Sequence, residues 1–154
     1  MTVRLARRAD LPGFLALAAE VEHWFGPMVA DPGFHRAVGR SIDRGTATLA
    51  EDDEGPLGGL LFGNRPPLHH LHWLVVAERA RRTGVGRELV ADALRRHDVR
   101  APATVEVVTF GPDHPGTVAS GTRVFYERLG FTPAEAAAPG PEGGSRQVCR
   151  LDLT

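Results

Sequence analysis

Lysine is missing altogether: all 18 basic residues are arginine. A P-loop, a kinase-type nucleotide site and a Schiff-base site each need a lysine amine, so these reaction classes are excluded. Cysteine occurs once, as Cys149, which rules out a disulfide framework or a Cys-rich zinc site within the chain. No run approaches the roughly 18 apolar residues of a membrane span, and the opening MTVRLARRAD lacks the apolar centre of a signal peptide. An excess of one charge is also lacking. At a net charge of -1 nothing pulls the whole chain toward nucleic acid or a membrane surface, so any anion site must be local. The expectation is a cytoplasmic protein with no nucleic-acid, membrane or metal partner.

What is present is an ordinary globular mixture: 154 residues, 42% apolar and 24% charged, enough for one domain over 1–154 with a real core. Val3 to Ala6 alternates as a strand. Asp10 then reads as the cap of a helix bearing Leu11, Phe14, Leu15, Ala18 and Val21. A loop carries His23, Trp24, Phe25 and Met28, and Asp31-Pro32 opens a second helix that Gly45 stops. Thr46 to Glu51 and Pro56 to Phe62 form a hairpin across an acidic turn, followed by a third antiparallel strand from His69 to Val76. Val85 to His97 is an amphipathic helix, and Thr104 to Thr109 is a β-branched strand. Thr117 to Leu129 reads as a helix capped by Gly130, Pro133 to Gly144 as a surface loop, and Gln147 to Leu153 as the last strand. The fold class is a mixed α/β (α+β) layer fold.

The chemistry concentrates where the strand Leu74-Val75-Val76 runs through Arg81-Arg82-Thr83-Gly84-Val85-Gly86-Arg87 into a helix. The first N–H groups of a helix have no internal partner and carry partial positive charge, and glycine lets the backbone come close, so this turn suits a pyrophosphate. Arg79, Arg81, Arg82 and Arg87 add charge-assisted donors. A Walker loop would need Gly-Lys-Ser/Thr, and a dinucleotide fingerprint would need a glycine where Leu89 stands.

The segment Arg81-x-x-Gly84-x-Gly86, with Leu74-x-Val76 before it, resembles the acyl-CoA signature of the GNAT superfamily. Phe125-Tyr126-Glu127-Arg128-Leu129-Gly130-Phe131 is similar to the helix-to-strand junction of the same family. The family frequently has Asn seven residues before the tyrosine, where this chain has Ala119. The resemblance implies a mostly antiparallel sheet of six to seven strands flanked by about four helices, with acetyl-CoA as acyl donor and an amine as acceptor. It also implies a monomer or homodimer.

In that reading the backbone of Leu74 stabilises the oxyanion, a contribution typically worth about 3 kcal/mol per donor. Val76 pairs with the pantetheine arm as an added strand would, which requires a splayed strand. Val75, Thr83, Val85 and Phe125 complete the donor site. An amine near pKa 10 is mostly protonated at neutral pH, so attack needs a base or a water relay. His70 and His72, two apart on one strand and hence on one face, are candidates, and the pair resembles that of serotonin N-acetyltransferase. Tyr126 matches the family's general acid. Trp24 and Phe25 are candidate acceptor-binding residues.

Other readings stay open from sequence. The histidines could be packing residues, although no acidic or cysteine partner at ligand spacing makes them a metal site. Tyr126, Trp24 and Phe25 could belong to the core, and His23, His35, His97 and His114 read as structural. The acceptor could be a small molecule, a protein lysine or a protein N-terminus, and a non-catalytic acyl-CoA sensor would share the Arg81 to Gly86 site.

Overall fold

The computed structural model describes residues 1–154 apart from the side chain of Val118. In chain order it holds β1 (Thr2–Leu5), α1 (Leu11–Ala19), α2 (Glu22–Phe25), α3 (Pro32–Asp43), β2 (Ala47–Asp52), β3 (Gly55–Arg65) and β4 (Leu68–Val76). There follow α4 (Val85–Arg96), β5 (Ala103–Phe110), α5 (Gly116–Ser120), α6 (Thr122–Arg128), β6 (Thr132–Ala137) and β7 (Arg146–Leu153). The seven strands form one sheet in the order β1-β2-β3-β4-β5-β7-β6. Every neighbouring pair is antiparallel except β4 with β5.

Each face of the sheet carries its own core. On one face α4 buries Val85, Leu89, Val90 and Ala93, and α6 buries Tyr126, against Leu60, Phe62, Leu71, Val105, Val107 and Cys149. On the other, α1 and α3 bury Phe14, Leu17, Val38 and Ile42 against Leu49, Leu61 and Val75. The helical spacing read from sequence for α3 and α4 gives these buried stripes directly. No described helix is long and apolar enough to cross a membrane.

Four expectations change. Asp10 does not cap α1 with its side chain. Its carboxylate accepts instead from the Arg7 N–H at 2.7 Å and from the Arg4 guanidinium at 2.8 and 2.9 Å, and the Arg4 hydrogen bonds hold the carboxyl down at about 2. The segment with His23, Trp24 and Phe25 is the short helix α2 rather than a loop. The helix expected over 117–129 is two helices, because Gly121 adopts a left-handed φ of 67° between them. Thr132–Ala137, partly assigned to a loop, is β6; Pro133 lacks a donor, but an edge strand tolerates that, and pairing with β7 is irregular between Pro133 and Ala136. Among the described residues, four helices have seven residues or more, and α2 and α5 are extra short turns.

Candidate active site

The central feature is a strand that leaves its neighbour. Leu68 to Leu71 of β4 pair with Thr104 to Val107 of β5, and from His72 onward that edge of β4 is unpaired. On the opposite edge, β3 stays paired to β4 as far as Val76, but Leu61 faces Trp73 while Phe62 faces Leu71, so His72 is an extra residue. A bulge of this kind bends and twists its strand. It falls where the β5 pairing stops, and the sheet opens there into a cleft. The unpaired edge carries Leu74, Val75 and Val76, whose backbone polar groups would otherwise be an unsatisfied strand edge.

At the end of β4 the chain turns through Glu78–Ala80 into α4. Arg82, with φ of 65°, and Gly84, with φ of 88°, are both left-handed, and no side chain caps α4. The first intrahelical bond here is from the Glu88 N–H to the Gly84 carbonyl, so the N–H groups of Val85, Gly86 and Arg87 are left for an anion. Arg82, Thr83 and Arg87 are exposed around this turn, and the Thr83 hydroxyl donates to the Ala80 carbonyl. Gly86 is required by packing as well, since a Cβ there would lie 2.9 Å from the Phe125 ring.

Two arginines depart from the expected donor set. Arg79 is consumed by the β2–β3 turn: its guanidinium donates to Asp52 at 3.0 and 3.1 Å and to the Gly55 carbonyl at 3.1 Å. Arg81 lies with its guanidinium 5.3 Å from the centroid of Trp24 and its Nε 3.4 Å from the Val76 carbonyl. It therefore joins the end of β4 to α2.

His70 and His72 do share a face: their rings are stacked 5.4 Å apart with a 6° interplanar angle. The bulge puts Trp73 on that same face, packed between Phe14 and Phe34. Gly63 on β3 has room for no side chain because the His72 imidazole lies over it. His72 is accessible to solvent yet sits in the opened cleft, where surrounding protein limits hydration of a charged ring. Desolvation, with His70 as a second cause, pushes its pKa below the ordinary value. The neutral, proton-accepting form thus prevails at pH 7.

Glu106 was not singled out from sequence. It is the register partner of His70 on β5, and its carboxylate lies 3.8 Å from His70 Nε2 and 3.2 Å from Arg150 Nε. The signal was a lone acidic residue within the β-branched run Val105 to Val108. Val108 and Phe110 alternate with Glu106 onto the same face, and Val108 is 48% exposed on the floor of the cleft.

Tyr126, the only tyrosine, is buried on the opposite face between Phe125 and Phe131, with ring centroids 5.0 and 5.4 Å away. Burial pushes its phenol well above the ordinary value, so the group holds its proton. Its hydroxyl has no hydrogen-bond partner among the described residues. Cys149, buried on β7, has a thiol whose pKa burial raises, which is the wrong direction for a nucleophile.

The far end of the cleft is closed by loops. Phe25 stacks on Phe110 with centroids 4.6 Å apart, and Phe110 stacks on His114 at 4.4 Å. The turn after α2 meets the β6–β7 loop, where a Cβ on Gly26 would stand 3.3 Å from Pro141. Trp24 and Phe25, the expected acceptor wall, both pack against the core under α1 and α3, Trp24 beside Arg81 and Phe25 on Phe110. Among the described residues, no three His, Cys, Asp or Glu side chains are grouped as a metal site needs.

A sequence model of the Acetyltransferase (GNAT) domain matches residues 43–133, which includes β4, the α4 turn, β5 and α6. No functionally curated protein matches the chain by sequence. Among solved structures the chain is similar to a ribosomal-protein-alanine N-acetyltransferase from Brucella melitensis, with 20% identity and a TM-score of 0.73 over 99% of this chain and 100% of that one. An N-acetyltransferase from Staphylococcus aureus Mu50 superposes with a TM-score of 0.75 at 15% identity, covering 99% and 98%. PaiA N-acetyltransferase from Thermoplasma acidophilum, solved in complex with coenzyme A, gives 0.73 at 14% identity, covering 99% and 98%.

Proposed function

Because the chain belongs to the GNAT acetyltransferase family, we propose that it moves the acetyl group of acetyl-CoA to a small primary amine by direct attack. The observation that carries this reading is the cleft itself. An unpaired strand edge runs to an uncapped helix start, with two stacked histidines on one face of the sheet and a protonated phenol on the other.

The uncapped turn at Gly84 to Arg87 would hold the pyrophosphate, with Arg82 and Arg87 as its charged donors, and the free edge at Val76 would pair with the pantetheine arm. Pairing at Val76 competes with the long Arg81 contact to that carbonyl. The Leu74 backbone would face the thioester oxygen. His72, directly or through water, takes a proton from the ammonium. His70 lies beside it, and Glu106 stabilises the imidazolium that a transfer to His70 creates. The amine nitrogen then bonds to the thioester carbon and gives a tetrahedral intermediate. Its collapse breaks the carbon–sulfur bond as Tyr126 protonates the departing thiolate, and the second proton of the attacking nitrogen is lost to water, from which the phenol is reprotonated. A small acceptor is favoured over a polypeptide because the loops around Gly26 and Pro141 meet across the end of the cleft.

The test is a pair of variants read by two assays. Tyr126→Phe and His72→Ala should each lower amine-dependent CoA release by about 10²- to 10⁴-fold. Both should keep the rise in melting temperature that acetyl-CoA produces in the wild type. Unchanged turnover in both variants would remove these residues from the mechanism, and the absence of any acetyl-CoA-dependent rise in the wild type would remove the donor site.

A further inference from the structure

The β5–α5 connection, the β6–β7 loop and the turn after α2 meet around one carboxylate. Glu142 Oε1 lies 3.2 Å from His114 Nε2. The same carboxylate sits so close to Gly140 and Gly144 that a Cβ on either would approach it to 2.6 or 2.8 Å, and a Cβ on Gly26 would stand 3.7 Å away. The His114 ring is packed over Gly144 and stacked on Phe110, the last residue of β5. Its Nδ1 accepts the Gly116 N–H at 2.8 Å, which places the ring proton on Nε2 and directs it at Glu142. His114 is thereby occupied at both nitrogens and has no free one for acid–base work on a substrate. Two further links zip the loops together: the Gly111 N–H donates to the Ser145 carbonyl at 2.9 Å, and the Ser145 hydroxyl donates to Asp113.

Phe110 shares the cleft face with Val108 and Glu106, so this junction stands at the end of the cleft floor. We propose that Glu142 and His114 form a strut that fixes the β6–β7 loop across the end of the acceptor cleft and limits the acceptor to short amines. The proposal rests on the small-amine reading above and names the residues that impose it. Glu142 and His114 are positioning residues, acting through the Phe110–Phe25 wall and the loop rather than by touching the reacting atoms. The His114 ring is buried while the Glu142 side chain is a quarter exposed, so the pair ties the loop through the imidazole, whose Nε2–H would be desolvated without compensation if the carboxylate left.

The test compares wild type, Glu142→Gln and Glu142→Ala with acetyl-CoA and two probe acceptors, phenethylamine and an alanine-initiated hexapeptide. Glu142→Gln keeps an oxygen for the His114 N–H and should behave within about twofold of wild type. Glu142→Ala should raise KM for phenethylamine by about tenfold, the scale of one lost hydrogen bond. Its kcat and its Kd for acetyl-CoA should hold, and hexapeptide acetylation should become measurable. An unchanged KM with continued rejection of the hexapeptide would overturn the strut, as would an acetyl-CoA Kd that rises in step with KM. If the wild type acetylates neither probe, the small-amine reading fails for them, and hydrogen exchange decides the strut separately. Glu142→Ala must then speed exchange at the amides of Gly111, His114, Gly140 and Gly143, which are bonded within these loops, and leave β2 and β3 unchanged. Equal exchange in the two proteins overturns it.

Discussion

The two halves of β4 belong to one strand and behave differently. Leu68 to Leu71 are paired on both edges, whereas Trp73 to Val76 are paired on one and His72 between them is the bulged residue. The first half holds β5 against the rest of the sheet. The second offers backbone groups, an exposed imidazole and an exit into an uncapped helix. A single extra residue at the bulge separates the two, so a local irregularity converts a structural strand into one side of a cleft. The sharpest way to break the second half is Gly63→Ala, whose methyl would collide with the His72 ring although Gly63 itself pairs with His70. Displacing a catalytic group by about 1 Å costs on the order of 10²-fold in rate. We expect a fall of that size in kcat/KM for the amine with the acetyl-CoA Kd unchanged. A parallel weakening of acetyl-CoA binding would mean that the substitution had disturbed the whole strand.

Two histidines sharpen the contrast, because desolvation lowers the pKa of both His69 and His72 while only His72 is exposed. His69, in the doubly paired half, is 1% exposed and its Nδ1 has no partner among the described residues. Its ring stacks on Phe62, which also stacks on His97, another imidazole with an unpartnered buried nitrogen and a lowered pKa. The unfolded chain binds these protons near the ordinary histidine value of about 6.5 and the folded chain binds them less readily. Stability is therefore full above that pH and is lost as the pH falls from it toward the folded values. Urea midpoints measured from pH 7.5 down to 5.5 should decline, and His69→Phe should reduce the decline. His72, lowered by the same cause, adds to that decline by the same linkage. Its protonation should appear also as the acid limb of kcat/KM, inflecting below the ordinary imidazole value. An acid limb at or above 6.5 would separate His72 from proton transfer.

The sequence was most legible where chemistry is written in backbone-compatible residues. Gly84, Gly86 and the strand before them announced a strand-to-helix turn with no side-chain cap, and helical or alternating apolar spacing located α3, α4, β4, β5 and β7. His70 and His72 were expected on one face from spacing alone, and their rings are stacked there. Less legible was whatever depends on pairing between distant segments. The bulge at His72 has no signature within β4, because it is defined by the register with β3. Glu106 acquires meaning only when β5 lies beside β4. Gly121 divides 117–129 through a left-handed φ, a conformation that the apolar spacing does not reveal. His114 read as structural, but its partner Glu142, 28 positions away on another loop, was not legible.

The smallest expected effect concerns the turn that β4 feeds, where arginines alike in sequence part company. Arg79 is held by Asp52 and the Gly55 carbonyl, and the Asp52 hydrogen bonds raise its pKa. Arg82 is exposed and forms no ion pair among the described residues, and it occupies a left-handed position that a non-glycine residue adopts at some cost. A side chain already bound to a carboxylate has little left to offer a phosphate, while one held out in solvent at an uncapped helix start does. Arg79→Gln should therefore leave the acetyl-CoA Kd within about twofold, whereas Arg82→Gln should raise it by about tenfold, a gap that high salt should narrow. If Arg79→Gln weakens acetyl-CoA as much as Arg82→Gln does, the ion pair with Asp52 opens when the ligand arrives. The donor site would then extend past the α4 turn to the β2–β3 hairpin.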